Sequence, residues 1–125
     1  MPSAEWEVIL HDDFEPEFDA LPRSVRNRLA AVTNLLAMKG PQLSRPHADT
    51  LKGSKYPNMK ELRFDAADGV WRVAFTFDPQ RQAILLVAGD KSGQSEMKFY
   101  RQLIKKADER YNSYLQSLAN NNEEP

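Results

Sequence analysis

Lys60-Glu61-Leu62-Arg63-Phe64, then Val70-Trp71-Arg72-Val73-Ala74-Phe75-Thr76-Phe77, then Ala83-Ile84-Leu85-Leu86-Val87-Ala88: these three runs decide the fold. Side chains alternate across a strand, so Leu62 and Phe64 fall on one face of the first run, with Glu61 and Arg63 on the other. In the second, Trp71, Val73, Phe75 and Phe77 share a face, which leaves Arg72, Ala74 and Thr76 opposite. The third is apolar on both faces, which predicts a central strand. Asp65 to Gly69 reads as a hairpin turn with Asp68-Gly69 as its signal, and Asp78-Pro79-Gln80 as a second turn.

Upstream, Trp6-Glu7-Val8-Ile9-Leu10 predicts a further strand. His11-Asp12-Asp13 offers capping residues for a short helix ending near Leu21, and Pro22 punctuates it. From Arg23 to Lys39, Val25, Leu29, Val32, Leu35 and Leu36 recur at helical spacing, and Gly40-Pro41 stops the helix. Residues 41–57, broken by Pro41, Pro46, Gly53 and Pro57, read as an extended loop. Downstream, Gly89 to Gly93 forms a polar loop. A last helix begins near Ser95, with Tyr100, Leu103, Ile104, Ala107, Tyr111 and Tyr114 on its apolar side. The order β-α-α-β-β-β-α predicts a small α+β domain: a helical hairpin packed on a mostly antiparallel sheet, followed by a C-terminal helix. One domain over residues 1–118 and a polar tail over 119–125, fraying from Asn120, are expected.

Composition narrows the chemistry. The 125 residues contain no cysteine, so a disulfide scaffold, a thiol nucleophile and thiolate metal sites are excluded. No stretch approaches the ~20 apolar residues of a membrane span, and no signal-peptide pattern opens the chain. A cytoplasmic location is expected. The net charge of −1 hides two unlike parts. Residues 1–22 hold seven acids and no Lys or Arg, whereas residues 23–110 hold all 17 basic residues against nine acids. A local positive field attracts phosphates whatever the distant charges sum to.

His11 and His47 lack metal-ligand spacing, and no glycine-rich phosphate loop, GxSxG or HExxH occurs. What remains is basic and aromatic: Lys52, Lys55, Lys60, Arg63, Arg72 and Lys91, with Tyr56 and Trp71 beside them. Arg72 stands among the small side chains Ala74 and Thr76, where its guanidinium could reach across a shallow surface. Arg63 shares that surface if the register permits, and two guanidiniums could hold a phosphate and stabilise added charge on it. The competing reading pairs Arg63 with Glu61 or an aspartate and leaves Arg72 solvating a sheet face. The stripe of Lys98, Arg101 and Lys105 is the pattern more often of a simple solvated helix face.

Four segments together carry a resemblance. Gly40-Pro41-Gln42-Leu43-Ser44-Arg45-Pro46-His47, Leu51-Lys52-Gly53-Ser54-Lys55, Met59-Lys60-Glu61-Leu62-Arg63-Phe64 and Trp71-Arg72-Val73-Ala74-Phe75 resemble the phage-type HigB toxins. These belong to the RelE/ParE superfamily of bacterial type II toxin–antitoxin systems. The likeness continues through Ala88-Gly89-Asp90-Lys91-Ser92 and the helix carrying Phe99, Tyr100, Lys105 and Ala107, roughly residues 5–115. It implies a RelE-like fold, a curved sheet backed by the helical hairpin with a concave basic face. It also implies a metal-independent, cofactor-free endoribonuclease that cleaves mRNA, usually on the ribosome, and is neutralised by a helix-turn-helix antitoxin. In such enzymes the ribose 2′-hydroxyl attacks the adjacent phosphate to give a 2′,3′-cyclic phosphate.

Carried onto this chain, Arg63 and Arg72 would stabilise the phosphorane, and Lys55 and Lys91 would hold the backbone and assist proton transfer. Lys52, Tyr56, Lys60 and Lys98 would contact RNA, with Tyr56 stacking a base. Many RNA-cleaving relatives present a Tyr, His or Lys from a C-terminal segment, and here that region is the helix after Ser95, which bears Lys98 and Tyr100. Two other outcomes stay open: a ParE-like toxin that binds DNA gyrase without cutting RNA, and an inactive phage-derived protein that keeps only antitoxin binding.

Overall fold

The computed structural model describes residues 6–123, so Glu5 of the acidic N-terminal run and Glu124 and Pro125 of the expected tail lie outside the described residues. The elements are β1 (Glu7–Leu10), α1 (Phe14–Asp19), α2 (Arg23–Lys39), β2 (Ala48–Thr50), β3 (Lys60–Ala66), β4 (Gly69–Phe77), β5 (Gln82–Asp90) and α3 (Glu96–Glu123), with a 3-10 turn at Gly40–Gln42. The five strands form one sheet in the order β1-β5-β4-β3-β2. β1 runs parallel to β5, and the other three pairings are antiparallel. The α+β architecture expected from the three runs is present, with β5 inside the sheet between β1 and β4.

Both faces of the sheet are covered, which explains why β5 is apolar on both sides. On one face Phe14 of α1 and the α2 stripe Val25, Leu29, Val32 and Leu36 pack on Leu62, Phe64, Val73, Phe75, Ala83 and Leu85. On the other, Phe99, Leu103, Ala107 and Tyr111 of α3 pack on Met59, Ala74, Ile84 and Leu86. α3 lies over β5 and β4, and the β3–β2 side of that face is left to a groove.

The β4–β5 register shifts by one between Ala74 and Phe75, where Ala74 faces Val87 and Phe75 faces Leu85. Leu86 is the extra residue of this bulge, and a bulge re-aims the side chains beyond it. Beyond it Arg72 becomes the direct partner of Gly89, and across β3 the direct partner of Arg63.

Four details differ from the sequence reading. The β3–β4 turn is built on Ala67 and Asp68, both at positive φ (50° and 60°), rather than on Asp68-Gly69. Two positive φ values in a two-residue loop suit the right-handed twist of the strands it joins. Gly69 serves a different need, because a Cβ there would lie 2.6 Å from a carboxylate oxygen of Asp90. The stretch 41–57 contains β2, three residues too short to give an alternating pattern, paired to β3 through Ala48↔Leu62 and Thr50↔Lys60. Asp13 caps α1 without a side-chain hydrogen bond. Instead the buried His11 accepts from Asp13 N at Nδ1 (3.0 Å), and its carbonyl accepts from Phe14 N and Glu15 N. Finally, α3 continues through Glu123 rather than fraying at Asn120. No Gly or Pro interrupts the sequence between Gln94 and Asn122, so no residue there forces the helix to stop.

Candidate active site

Arg63 and Arg72 stand directly opposite each other on β3 and β4, a like-charge juxtaposition that destabilises a ladder unless compensated. The compensation is Glu61, two residues before Arg63 and therefore on the same face. Its Oε2 accepts from Arg63 Nη1 at 2.7 Å, and its Oε1 lies 3.9 Å from Arg72 Nε. Tyr100, one turn into α3, closes the cluster: its hydroxyl donates to Glu61 Oε1 at 2.8 Å and accepts from Arg72 Nε at 3.2 Å. Arg72 Nη1 also donates to the Trp71 carbonyl at 2.9 Å. A buried carboxylate thus binds two guanidiniums and a phenol, the arrangement that makes a buried charge tolerable.

Glu61 and Arg72 are 4% and 5% exposed. Arg72 therefore does not lie open on a shallow surface, as its neighbours Ala74 and Thr76 suggested. Tyr100 roofs it, and the only side chain of the pair reaching the groove wall freely is Arg63, at 21% exposure. Burial, together with the bond to Glu61, holds the Tyr100 phenol above its ordinary range. A phenol is protonated at neutral pH even at its ordinary value, and this shift reinforces that.

In front of this cluster lies a groove of about 430 Å³, lined in part by Lys52, Glu61, Arg63, Lys91, Glu96 and Tyr100. Lys91 leaves the end of β5, donates to Glu96 Oε1 at 2.9 Å and sits 5.8 Å from the Tyr100 ring centroid. That partner holds the Glu96 carboxyl below its ordinary range. Arg45 pairs with Asp49 at 2.8 Å on the outer rim. The groove therefore carries four cationic side chains against three carboxylates, with Arg72 adding a fifth positive charge beneath. Lys52 has no ion-pair partner among the described residues.

The residues named from the sequence divide into two groups. Arg63, Arg72, Lys91 and Lys52 come together at this groove. Lys55 and Tyr56 do not: the loop that bears them is tied to α3, where Ser54 Oγ donates to Asp108 Oδ1 and Lys55 N to Asp108 Oδ2. The Tyr56 ring packs edge-on against Tyr111 at 4.9 Å, and the Lys55 ammonium lies 5.5 Å from the Tyr56 ring. Lys60 falls on the α2 face with Leu62, away from Arg63, because strand faces alternate. It lines a separate hollow with Leu43 and Ala48. Lys98 is exposed on α3, two residues from Tyr100.

Two site residues, Glu61 and Tyr100, were open to stronger sequence assignments. Glu61 shares the Arg63 face by simple alternation, and Tyr100 heads the apolar side of α3. Only the turn of α3 against β4 brings them into contact. Among the described residues no group of three or more His, Asp or Glu side chains converges as a metal site. Among the described residues no helix is long and apolar enough to cross a membrane.

The family described as "Phage derived protein Gp49-like" matches residues 16–112. Two Mycobacterium tuberculosis proteins align over most of the chain. One, named "Putative toxin HigB3", is 43% identical over 110 residues, covering 88% of this chain and 94% of its own length. The other, named "Putative toxin HigB2", is 40% identical over 98 residues, which is 78% of this chain and 48% of that longer protein. Among solved structures, the archaeal RelE–RelB complex from Pyrococcus horikoshii aligns with a TM-score of 0.52 at 15% identity, over 72% of this chain and 99% of the matched one. That likeness establishes a RelE-like fold. The chain belongs to the phage-derived Gp49-like family, together with the HigB-like toxins, and carries a RelE-like fold.

Proposed function

We propose that this toxin is a metal-independent endoribonuclease that cleaves mRNA, with the ribosome presenting the message, and that a cognate helix-turn-helix antitoxin neutralises it. The observation that carries the reading is the pairing of Arg63 with Arg72 beneath a cationic groove, both tied to Glu61 and one to Tyr100. Transesterification by a 2′-hydroxyl needs three things: a held phosphate, charge stabilisation in the phosphorane, and proton transfer. A phosphodiester lying in the groove meets Arg63 first, and Arg72 with Tyr100 just behind it. The 2′-oxygen forms a bond to phosphorus as the bond to the 5′-oxygen breaks, leaving a 2′,3′-cyclic phosphate and a 5′-hydroxyl. The guanidiniums stabilise the charge that gathers on the non-bridging oxygens.

Glu61 and Tyr100 form the hydrogen-bonded carboxylate–phenol pair that touches both arginines, and they are the groups placed to move the protons. Lys91 and Lys52 hold the backbone on either side. Incoming phosphate must displace Glu96 from Lys91, which costs little because Glu96 is well exposed. Lys55, Tyr56, Lys60 and Lys98 stand outside the reacting centre in this reading.

The test is expression in a bacterial host without the antitoxin. The wild-type chain arrests growth; Arg72→Ala and Tyr100→Phe relieve the arrest; co-expression of a cognate helix-turn-helix antitoxin restores growth. Arrest that persists undiminished in a folded Arg72→Ala variant would overturn the proposal.

A further inference from the structure

A second hollow, of about 310 Å³, adjoins the first across Arg63 and is lined by Arg28, Pro46, His47, Arg63, Phe64, Asp65 and Arg72. It lies at the edge of the sheet, on the loop side just before β2 begins at Ala48. The Arg63 amide donates to the His47 carbonyl at 2.8 Å, which ties the His47 loop beside the reacting arginine. Arg28 reaches the same hollow from the exposed side of α2. Three arginines and a histidine line it beside Asp65, with Arg63 and Arg72 sharing Glu61 behind them, which leaves Arg28 as the arginine without a carboxylate of its own. Neither Arg28 nor the His47 ring has a side-chain hydrogen bond or ion pair among the described residues. In the first groove, by contrast, Arg45, Arg63 and Lys91 are each paired with a carboxylate.

We propose that this hollow is a flanking subsite for single-stranded RNA, with Arg28 holding the phosphate next to the scissile one and His47 stacking the adjoining base. This inference rests on the endoribonuclease reading above and extends it from one phosphate to a track of two. Arg63 belongs to both hollows, so a strand bound at the cleavage centre crosses the sheet edge into the second. Guanidiniums suit a phosphate, and an imidazole ring offers a face to a splayed base. The apolar part of the lining, Phe64 and Pro46, is too small for a hydrophobic peptide anchor, and the surplus of positive charge favours a polyanion.

The test measures binding of the purified chain to non-cleavable 2′-O-methyl oligoribonucleotides by fluorescence polarisation, comparing a dinucleotide with a hexanucleotide. The wild type binds the hexanucleotide more tightly. Arg28→Ala and His47→Ala each weaken the hexanucleotide about three- to tenfold and leave the dinucleotide unchanged. Arg28→Ala also lowers the salt slope of log K by about 0.7, the share of one single-strand phosphate, whereas His47→Ala does not. His47→Phe keeps the stacking face and restores affinity, which separates the ring from the fold of its loop.

Unchanged hexanucleotide affinity in Arg28→Ala and His47→Ala, with the loss confined to Arg63→Ala, would overturn the subsite and leave the cleavage reading intact. Those same unchanged RNA affinities with weakened antitoxin binding would assign the hollow to the protein partner and equally overturn it. A wild-type chain that binds neither oligonucleotide would overturn the subsite, while the growth-arrest and transcript tests decide the cleavage reading separately.

Discussion

Glu61 is the residue on which the site turns. It is buried, and it is the shared acceptor for Arg63 and Tyr100 beside Arg72. Removing it leaves two guanidiniums facing each other with no counter-charge. Glu61→Ala should therefore lower stability by roughly 3 kcal/mol, the cost of breaking a buried ion pair, read from the midpoint of urea unfolding. Glu61→Gln keeps an acceptor but not the counter-charge, so it should recover only part of this and cost about 2 kcal/mol. Tyr100→Phe removes one hydroxyl and should cost about 1 kcal/mol while lowering cleavage by roughly a hundredfold or more, the range of a lost proton-transfer group. Arg63 and Arg72 were legible as a pair because alternation on two hairpin strands needs no tertiary knowledge. Their different depths were not, because the roof over Arg72 comes from Tyr100, 28 residues away. Lys60 shows the converse: its type suggested RNA contact, while its odd–even position relative to Arg63 already put it on the opposite face.

Two elements hold the site from behind. The first is the approach of β5 to α3 at Gly89, the direct partner of Arg72: a Cβ there would stand 2.8 Å from the Phe99 ring. Phe99 is itself buried and precedes Tyr100, so the ring has little room to yield. Gly89→Ala should cost roughly 1–3 kcal/mol by overpacking, and it should weaken cleavage beyond its effect on stability because it pushes the first turn of α3 off Arg72. Comparing activity well below the melting temperature with thermal unfolding separates the two effects.

The second is the clamp between α1 and α3. Arg110 donates to both carboxylate oxygens of Glu17 (2.9 and 2.6 Å) and to the Leu86 carbonyl (2.8 Å). Its hydrogen bond holds the Glu17 carboxyl below its ordinary value. A depressed carboxyl stabilises the fold above its unfolded pKa, and that contribution disappears as pH falls through the folded pKa. Glu17→Gln should thus lower stability at neutral pH and flatten the acid limb of the stability–pH curve, while leaving stability unchanged at a pH below both values. Glu17 is nearly half exposed, so the effect is small. The helix and strand order was readable from periodicity and turn chemistry, whereas β2 was not, since three residues define no period. The Leu86 bulge was equally hidden, because an extra residue in an all-apolar run leaves no mark on its pattern.

At the scale of the whole molecule, the charge asymmetry of the chain resolves into two uses. Part of the acidic N-terminal run is spent inside the fold, as Glu17 is on Arg110. The basic excess of the body is not a uniform positive face either, because Arg45, Arg63 and Lys91 each carry a carboxylate of their own. Among the described residues Lys52 at the groove and Arg28 beyond Arg63 have no ion-pair partner, as is also true of cations away from the site such as Lys60, Lys98 and Arg101. RNA binding should accordingly show a modest salt slope, the sum of a few phosphate contacts. The central claim is that the Arg63–Arg72 centre cuts RNA, and transcript-end mapping by primer extension tests it most directly. The cells express either the wild-type chain or Arg72→Ala without antitoxin, with the variant's folding checked by circular dichroism. The account predicts new 5′ ends inside translated regions for the wild type, carrying 5′-hydroxyls, and none for the variant. Growth arrest by the wild type with every transcript intact, and DNA gyrase trapped on DNA, would contradict it.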